Sequence, residues 1–294
     1  MRKTHLKLFT LFCWFSILLV LGIVITWVGF LAYRGLGTLK PDLFFGNISA
    51  WLAITGQRPV WEGIWPAFIG TFSLVCLTML LAIIPGVGCG IFLAEFASPR
   101  QRTWGGGLID VLAGMPSIVM GLFGFLLILL LRHTFWPAAN TGLLLAAGCL
   151  ALLVLPVIIV TTREALEAVS PQVKIAASSL GMSKWQCIRH LLLPVASKGI
   201  LGGVVLAIGR AAEDMAVIML TGVVANSGLP AGLTGKFEAL PFHIYVTAAE
   251  YQSIEELNRG FGTSLVLLGL STFLLICAAL LERAYKRRWK GSTR

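Results

Sequence analysis

The chain has 294 residues, of which 57% are hydrophobic and 12% charged, and its net charge is +10. Soluble domains carry about 25% charged residues, so this composition excludes an ordinary soluble domain and fits an integral membrane protein. The basic excess lies between apolar runs and at the chain ends, and no Lys/Arg run is interleaved with aromatics in a way that suggests base stacking, which points to membrane topology and away from nucleic acid.

In chain order, MRKTHLK precedes an uncharged run over 8–33. A signal peptide has an apolar core of about 7–15 residues, so this longer run predicts a retained anchor helix. Residues 34–65 read as a polar loop, and 1–65 together as an N-terminal anchor helix with a first external loop. The main transmembrane region is expected over 66–294. Its spans are predicted at 66–96, 108–131, 141–160, 200–222 and 262–281, with a bend at Pro85 in the first of these. Each has about 20 or more mostly apolar residues, enough to cross a hydrocarbon core of about 30 Å. The expected fold class is therefore all-α, a polytopic membrane protein with six transmembrane helices.

The distribution of Lys and Arg orients these spans. The N-terminus, the 97–107 loop, the 162–198 loop and the tail hold 3, 2, 5 and 6, sixteen together. The three opposite loops hold 3, 1 and 2, six together, and Arg210 is the remaining one. The positive-inside rule then predicts that both termini and the 162–198 loop are cytoplasmic.

The stretch 164–194, between two spans, carries the densest local signals for helix starts and stops. Ser170-Pro171 reads as an N-cap with proline at the first helical position, where its missing N–H costs nothing. Gly181 is expected to end that helix, because glycine takes the left-handed conformation without a Cβ clash. Ser183 with Gln186 has capping-box spacing and predicts a second helix before Pro194. Two short helices over 171–180 and 184–193 are therefore expected, either as an interfacial linker or as a docking element for a soluble partner.

Several chemistries find no residues to carry them. No G-x-x-x-x-G-K-[ST] occurs, so no P-loop binds ATP in this chain. The six cysteines are scattered, with no C-x-x-C and no Cys/His cluster, so no metal or disulfide framework is expected. No nucleophile–base constellation and no H-E-x-x-H appear, so no catalytic residue and no cofactor is assigned.

The fifth span alone carries central charges: Arg210, Glu213 and Asp214. Each costs about 2.5–3.5 kcal/mol at mid-membrane on insertion scales, so each must face a cavity or a partner. On a continuous helix the two carboxylates would flank Arg210, with Thr221 on roughly the same face. One reading is a self-satisfied ion-pair set. The other, favoured, is a pathway lining in which Arg210 offers its guanidinium fork to an oxyanion. In the third span Pro116 breaks the hydrogen-bond ladder before Ser117, and a broken helix can present N–H groups to an anion.

Four motifs carry a family resemblance. The segment 175–194 resembles the cytoplasmic E-A-A loop of ABC importer permeases: Ala176, Ala177, Gly181, Leu193 and Pro194 hold the pattern's places, and Leu191 stands where the family has Ile. Ile175 stands where that family often has Glu. AGMPSIVMGLFG (113–124) and GRAAEDMAVIMLTG (209–222) resemble motifs of phosphate permeases, with Asp214 in the place of their Glu and Glu213 replacing a Gly. LPFHIY (240–245) resembles a segment before the last span of one such subunit.

The resemblance implies a type I ABC importer permease (MetI-like) fold in a bacterial inner membrane. It implies a second homologous permease subunit, a cytoplasmic ATP-binding subunit dimer and an extracytoplasmic phosphate-binding protein as partners, within membrane lipid. It also implies a phosphate pathway at Arg210, Glu213, Asp214, Ser117 and Thr221. ATPase coupling would then run through Lys174, Ala176, Ala177, Gly181, Leu191, Leu193 and Pro194. The expected function is ATP-driven phosphate import by alternating access. Alternatives are a permease for phosphonate, sulfate or molybdate, a membrane-embedded enzyme, or a phosphate-sensing scaffold.

Overall fold

A computed structural model describes residues 2–135, 137 and 139–290, so the last four residues of the basic tail lie outside it. Among the described residues the regular secondary structure is helical, and the one β-type pairing is a single bridge between Val223 and Phe237. Six helical segments are long and apolar enough to cross a membrane, as the sequence predicts. In hydrocarbon every backbone polar group must be satisfied within the protein, so long uncharged runs become helices.

Helix α1 (Arg2–Gly35) leads through α2 (Pro41–Phe45) and α3 (Ala50–Ile54) into α4 (Trp65–Ile91). Next come α5 (Pro99–Gly114), α6 (Ser117–Thr134) and α7 (Leu143–Glu167). Helices α8 (Pro171–Ser179), α9 (Lys184–Cys187), α10 (Leu193–Glu213) and α11 (Ala216–Thr221) follow, then α12 (Leu240–Glu250) and α13 (Ile254–Lys290). The centre is α4, α7 and α10, whose small and branched residues interlock: Val75, Met79 and Ala82 with Ala151, Val154 and Ile158, and with Ala207, Ala211 and Ala212. Without a hydrophobic drive between helices in lipid, close packing of small residues holds them together. Helix α1 lies outside this centre, against α13, with Phe30 and Phe261 edge to face at 5.6 Å.

Three expectations are corrected. The third span is not one helix over 108–131. It breaks at Met115–Pro116, whose ψ values of 131° and 139° are extended, and only α6 remains as a candidate span. Pro116 forces this, because proline disfavours helical backbone at the residue before it.

The fifth span is not one helix over 200–222 either: α10 ends at Glu213, and Asp214 is extended (ψ 112°) before α11 begins. Backwards, α10 runs without interruption into α9 through a wide turn at Ile188–Leu192. The second short helix expected at 184–193 is therefore the start of the fifth span, which extends over Lys184–Glu213. Pro194 has no N–H and would crowd the carbonyl four residues back, and a widened turn just before it relieves both.

The loops at 34–65 and 223–261 fold onto one end of the bundle, called the loop end below. Leu43, Val60, Ile64, Phe237 and Leu240 are buried there. Because α7 starts without a side-chain cap, the backbone of this region supplies the acceptors: Thr221 O, Gly235 O and Leu233 O accept from the N–H groups of Gly142, Leu143 and Leu144. At the opposite end lie 97–107 and 164–194, joined by an ion pair of Arg102 with Glu167 at 3.6 Å.

Candidate functional site

Two helix breaks meet inside the bundle. Helix α6, starting at Ser117 after Pro116, packs on α11, starting at Ala216 after Asp214. Gly121 is the point of closest approach: a Cβ there would lie 2.9 Å from the Ala216 carbonyl oxygen and 3.1 Å from Val217 Cα. The crossing therefore needs a residue without a side chain. The sequence motifs at 113–124 and 209–222, far apart in the chain, are brought together by this contact.

The depth of Arg210 follows from the packing of α10 on α7. A Cβ at Gly199 would meet Ala165, and one at Gly203 would collide with Thr161, which sets an antiparallel register. That register puts Arg210 level with Val154, near the middle of Leu143–Glu167. Arg210 and Glu213 are both exposed on the surface of the chain at this level, while Asp214 and Ser117 are half-buried.

The expected flanking of Arg210 by two carboxylates on one helical face does not form, because the helix ends between them. Among the described residues the ion pairs are Arg102–Glu167 and Lys174–Glu95. Asp214 is engaged elsewhere: its Oδ1 accepts the Val217 N–H at 3.0 Å, so it caps α11. A carboxylate at a helix N-terminus is held by the backbone donors and by the helix dipole. Thr221, expected on the same open face, is instead fully buried. Its hydroxyl donates to Val217 O at 2.8 Å, and its methyl faces Gly124. The break thus separates the three charges into a cap (Asp214) and an exposed pair of opposite sign (Arg210 and Glu213).

The 164–194 end has its own geometry. Ser170 caps α8, accepting from the Gln172 N–H at 3.4 Å. Gly181 follows the end of α8 with φ +74°, and the Met182 N–H donates back to Ala177 O at 3.2 Å, closing a Schellman turn. Ser183 and Gln186 then form the capping box that their spacing predicts. Ala177 is buried, whereas Ala176 and Gly181 are exposed and Leu191, Leu193 and Pro194 half-buried. Ile175, Leu180 and Trp185 expose apolar side chains around this turn, at 63%, 80% and 59%. Lys174 is turned inward, its Nζ 2.5 Å from Glu95 Oε1. Sequence reasoning passes over Glu95, although it is the one charged residue between 66 and 96.

At the loop end a cavity of about 580 Å³ is lined by Glu62, Glu238, His243, Glu256 and Arg259 among others. Burial pushes the Glu238 carboxyl above the usual carboxylate range, against the opposing effect of backbone N–H donors that include Gly228. Burial lowers His243 below its ordinary value.

Residues 86–290 match the family described as binding-protein-dependent transport system inner membrane component. The chain is 32% identical over 251 residues to the phosphate transport system permease protein PstA of Haemophilus influenzae, covering 84% of this chain and 83% of that one. It is 31% identical over 208 residues to PstC 1 of Mycobacterium tuberculosis, covering 63% of this chain and 57% of the relative, so that match spans little more than half of the relative's length. Its fold matches a chain of the inward-facing MetNI methionine ABC transporter with a TM-score of 0.58 at 16% identity, over 81% of this chain and 99% of that one.

Proposed function

The chain belongs to the family of binding-protein-dependent transport system inner membrane components, and from that premise we propose that it is one permease subunit of an ATP-driven importer of inorganic phosphate. Relatives named as phosphate permeases, matched over as much as 84% of the chain, support the choice of phosphate. The observation that carries the reading is the exposure of Arg210 and Glu213 at mid-span level. Charges at that depth cannot face lipid without a large cost, so another surface must cover them. A second, homologous permease subunit supplies that surface and closes a polar pathway between the two chains.

In this pathway the Arg210 guanidinium binds phosphate oxygens through its fork of N–H donors. The start of α6 at Ser117 adds backbone donors from the first helical turn. Asp214 stays on the protein as the cap of α11 and keeps the break in shape. Glu213 offsets the charge of Arg210 and keeps phosphate binding weak enough for release.

The energy comes from outside the chain. The turn at Gly181, with Ile175, Leu180 and Trp185 exposed around it, docks in a groove of a cytoplasmic ATPase dimer. Closure of that dimer moves α8 and the continuous helix Lys184–Glu213, and the pathway opens alternately to each side. The 164–194 end and both termini are cytoplasmic. The loop end faces an extracytoplasmic phosphate-binding protein, and 1–65 is accessory to the transport unit.

The test is Arg210→Gln in a complex reconstituted with its copurifying ATPase and binding protein. Phosphate uptake is expected to vanish while assembly and basal ATP hydrolysis persist. Normal uptake would remove Arg210 from the pathway.

A further inference from the structure

The inner end of the second span is gripped at four consecutive residues by basic side chains from three other elements. Helix α4 ends in a wide turn at Phe92–Phe96, closed by the Ala97 N–H donating to Phe92 O at 2.8 Å. Arg102, from α5, donates to Leu93 O through Nε at 3.2 Å and to Ala94 O through Nη2 at 2.9 Å. Lys174, from α8, reaches Glu95 Oε1 at 2.5 Å. Lys184, from α9, lies 4.9 Å from the centre of the Phe96 ring. The turn itself is anchored in the bundle: Leu93 packs with Ile109 and Ile159, and Ala94 with Leu166, Ile188 and Leu192.

Capping accounts for part of this arrangement. Cations at a helix C-terminus satisfy its last carbonyls and its dipole, and Arg102 does that, while Lys184 sits over the Phe96 ring. The Lys174–Glu95 pair is different in kind, because it joins two side chains and no helix-end carbonyl. Among the described residues it is the one side-chain hydrogen bond between α8 and a membrane span. Glu95 keeps only 9% of its side chain exposed and Lys174 35%, so the pair is screened far less than a surface pair. Beyond it α8 packs on the buried cluster of Leu166, Ile188 and Leu192 through Val173, and Ala177 is buried.

We propose that the Lys174–Glu95 ion pair is the link through which α8 displaces the second span, making both positioning residues for transport. The inference rests on the functional reading above, in which a partner ATPase pushes on α8. The wide turn at Phe92–Phe96 suits the role, since single π-type turns at the end of or inside α-helices are frequent at functional sites. The second span packs along both α7 and α10, so a push on Glu95 reaches the helix that carries Arg210.

The test uses the full complex in proteoliposomes, with inorganic phosphate as the transported probe and uptake per ATP hydrolysed as the readout. Glu95→Gln keeps shape and removes the charge; Lys174→Met does the same from the other side. Each is expected to lower uptake per ATP about 5-fold or more, the lower end of ordinary coupling between sites, with ATP hydrolysis retained. The reversed pair Glu95→Lys with Lys174→Glu is expected to recover most of the ratio, which a simple packing role would not give. Hydrogen exchange at 92–97 in the purified chain is expected to rise in each single variant. Unchanged uptake per ATP in both single variants overturns the inference and leaves the functional reading standing. Absence of ATP-dependent phosphate uptake by the unaltered complex overturns the functional reading, and the inference with it.

Discussion

Replacing Gly181 by valine isolates the shape of the turn at the 164–194 end. Gly181 sits at φ +74° with open space around its Cα, so no neighbour resists an added side chain. The whole effect is then conformational. A left-handed residue with a Cβ costs about 1–2 kcal/mol, and branching at Cβ takes valine to the upper end. That range corresponds to a roughly 5- to 30-fold loss in the population of the native turn. The spans do not depend on it, since Gly181 lies outside every membrane-crossing segment. The chain should therefore insert and assemble normally while uptake per ATP falls by a similar factor in proteoliposomes. A graded series sharpens the test. Gly181→Asn should stay close to the original, because asparagine visits the left-handed region, and Gly181→Ala should fall between. Equal uptake per ATP across Gly, Asn, Ala and Val would refute the role of this turn in coupling to the ATPase.

Other expectations follow from the site. Asp214→Asn should keep the α11 cap and leave stability nearly unchanged, whereas Asp214→Ala should lower it by about 0.5–2 kcal/mol in a denaturation series. Thr221→Val should leave phosphate uptake intact, because the hydroxyl is bonded only to its own helix; loss of uptake would return Thr221 to the pathway. Arg210→Lys should retain charge but bind phosphate more weakly than arginine, measured as a raised half-saturation for uptake. For Glu238, the folded chain holds the carboxyl pKa above its unfolded value, so it binds more protons than the unfolded chain between the two values. Stability from this group is fully present below the unfolded pKa and is lost as pH rises through the folded one. Glu238→Gln should therefore raise the melting midpoint at alkaline pH and lose that advantage in acid.

The six spans were legible because apolar length and charge distribution act on whole segments. Breaks were harder to place. Pro116 announces one of them, but its consequence, a shortened third span, depends on how α6 meets α11 at Gly121. The break at Asp214 has no proline or glycine to mark it. Its signal is an acidic residue followed by an apolar turn, which becomes a cap only when Val217 turns its N–H toward it. The same break takes Thr221 off the open face that helical periodicity assigns to it and buries it. Gly181 and the Ser183–Gln186 box were legible because both obey local rules. Glu95 depends on a contact with Lys174 across 79 positions, and periodicity cannot report such a pairing.

Transport by the reconstituted complex tests the central reading most directly. Vesicles containing this chain, its partner permease and ATPase, and supplied with the cognate binding protein, should accumulate labelled phosphate only with ATP on the cytoplasmic side, and excess sulfate or molybdate should not compete. Accumulation of another oxyanion in place of phosphate, or phosphate uptake that ignores ATP, would contradict it.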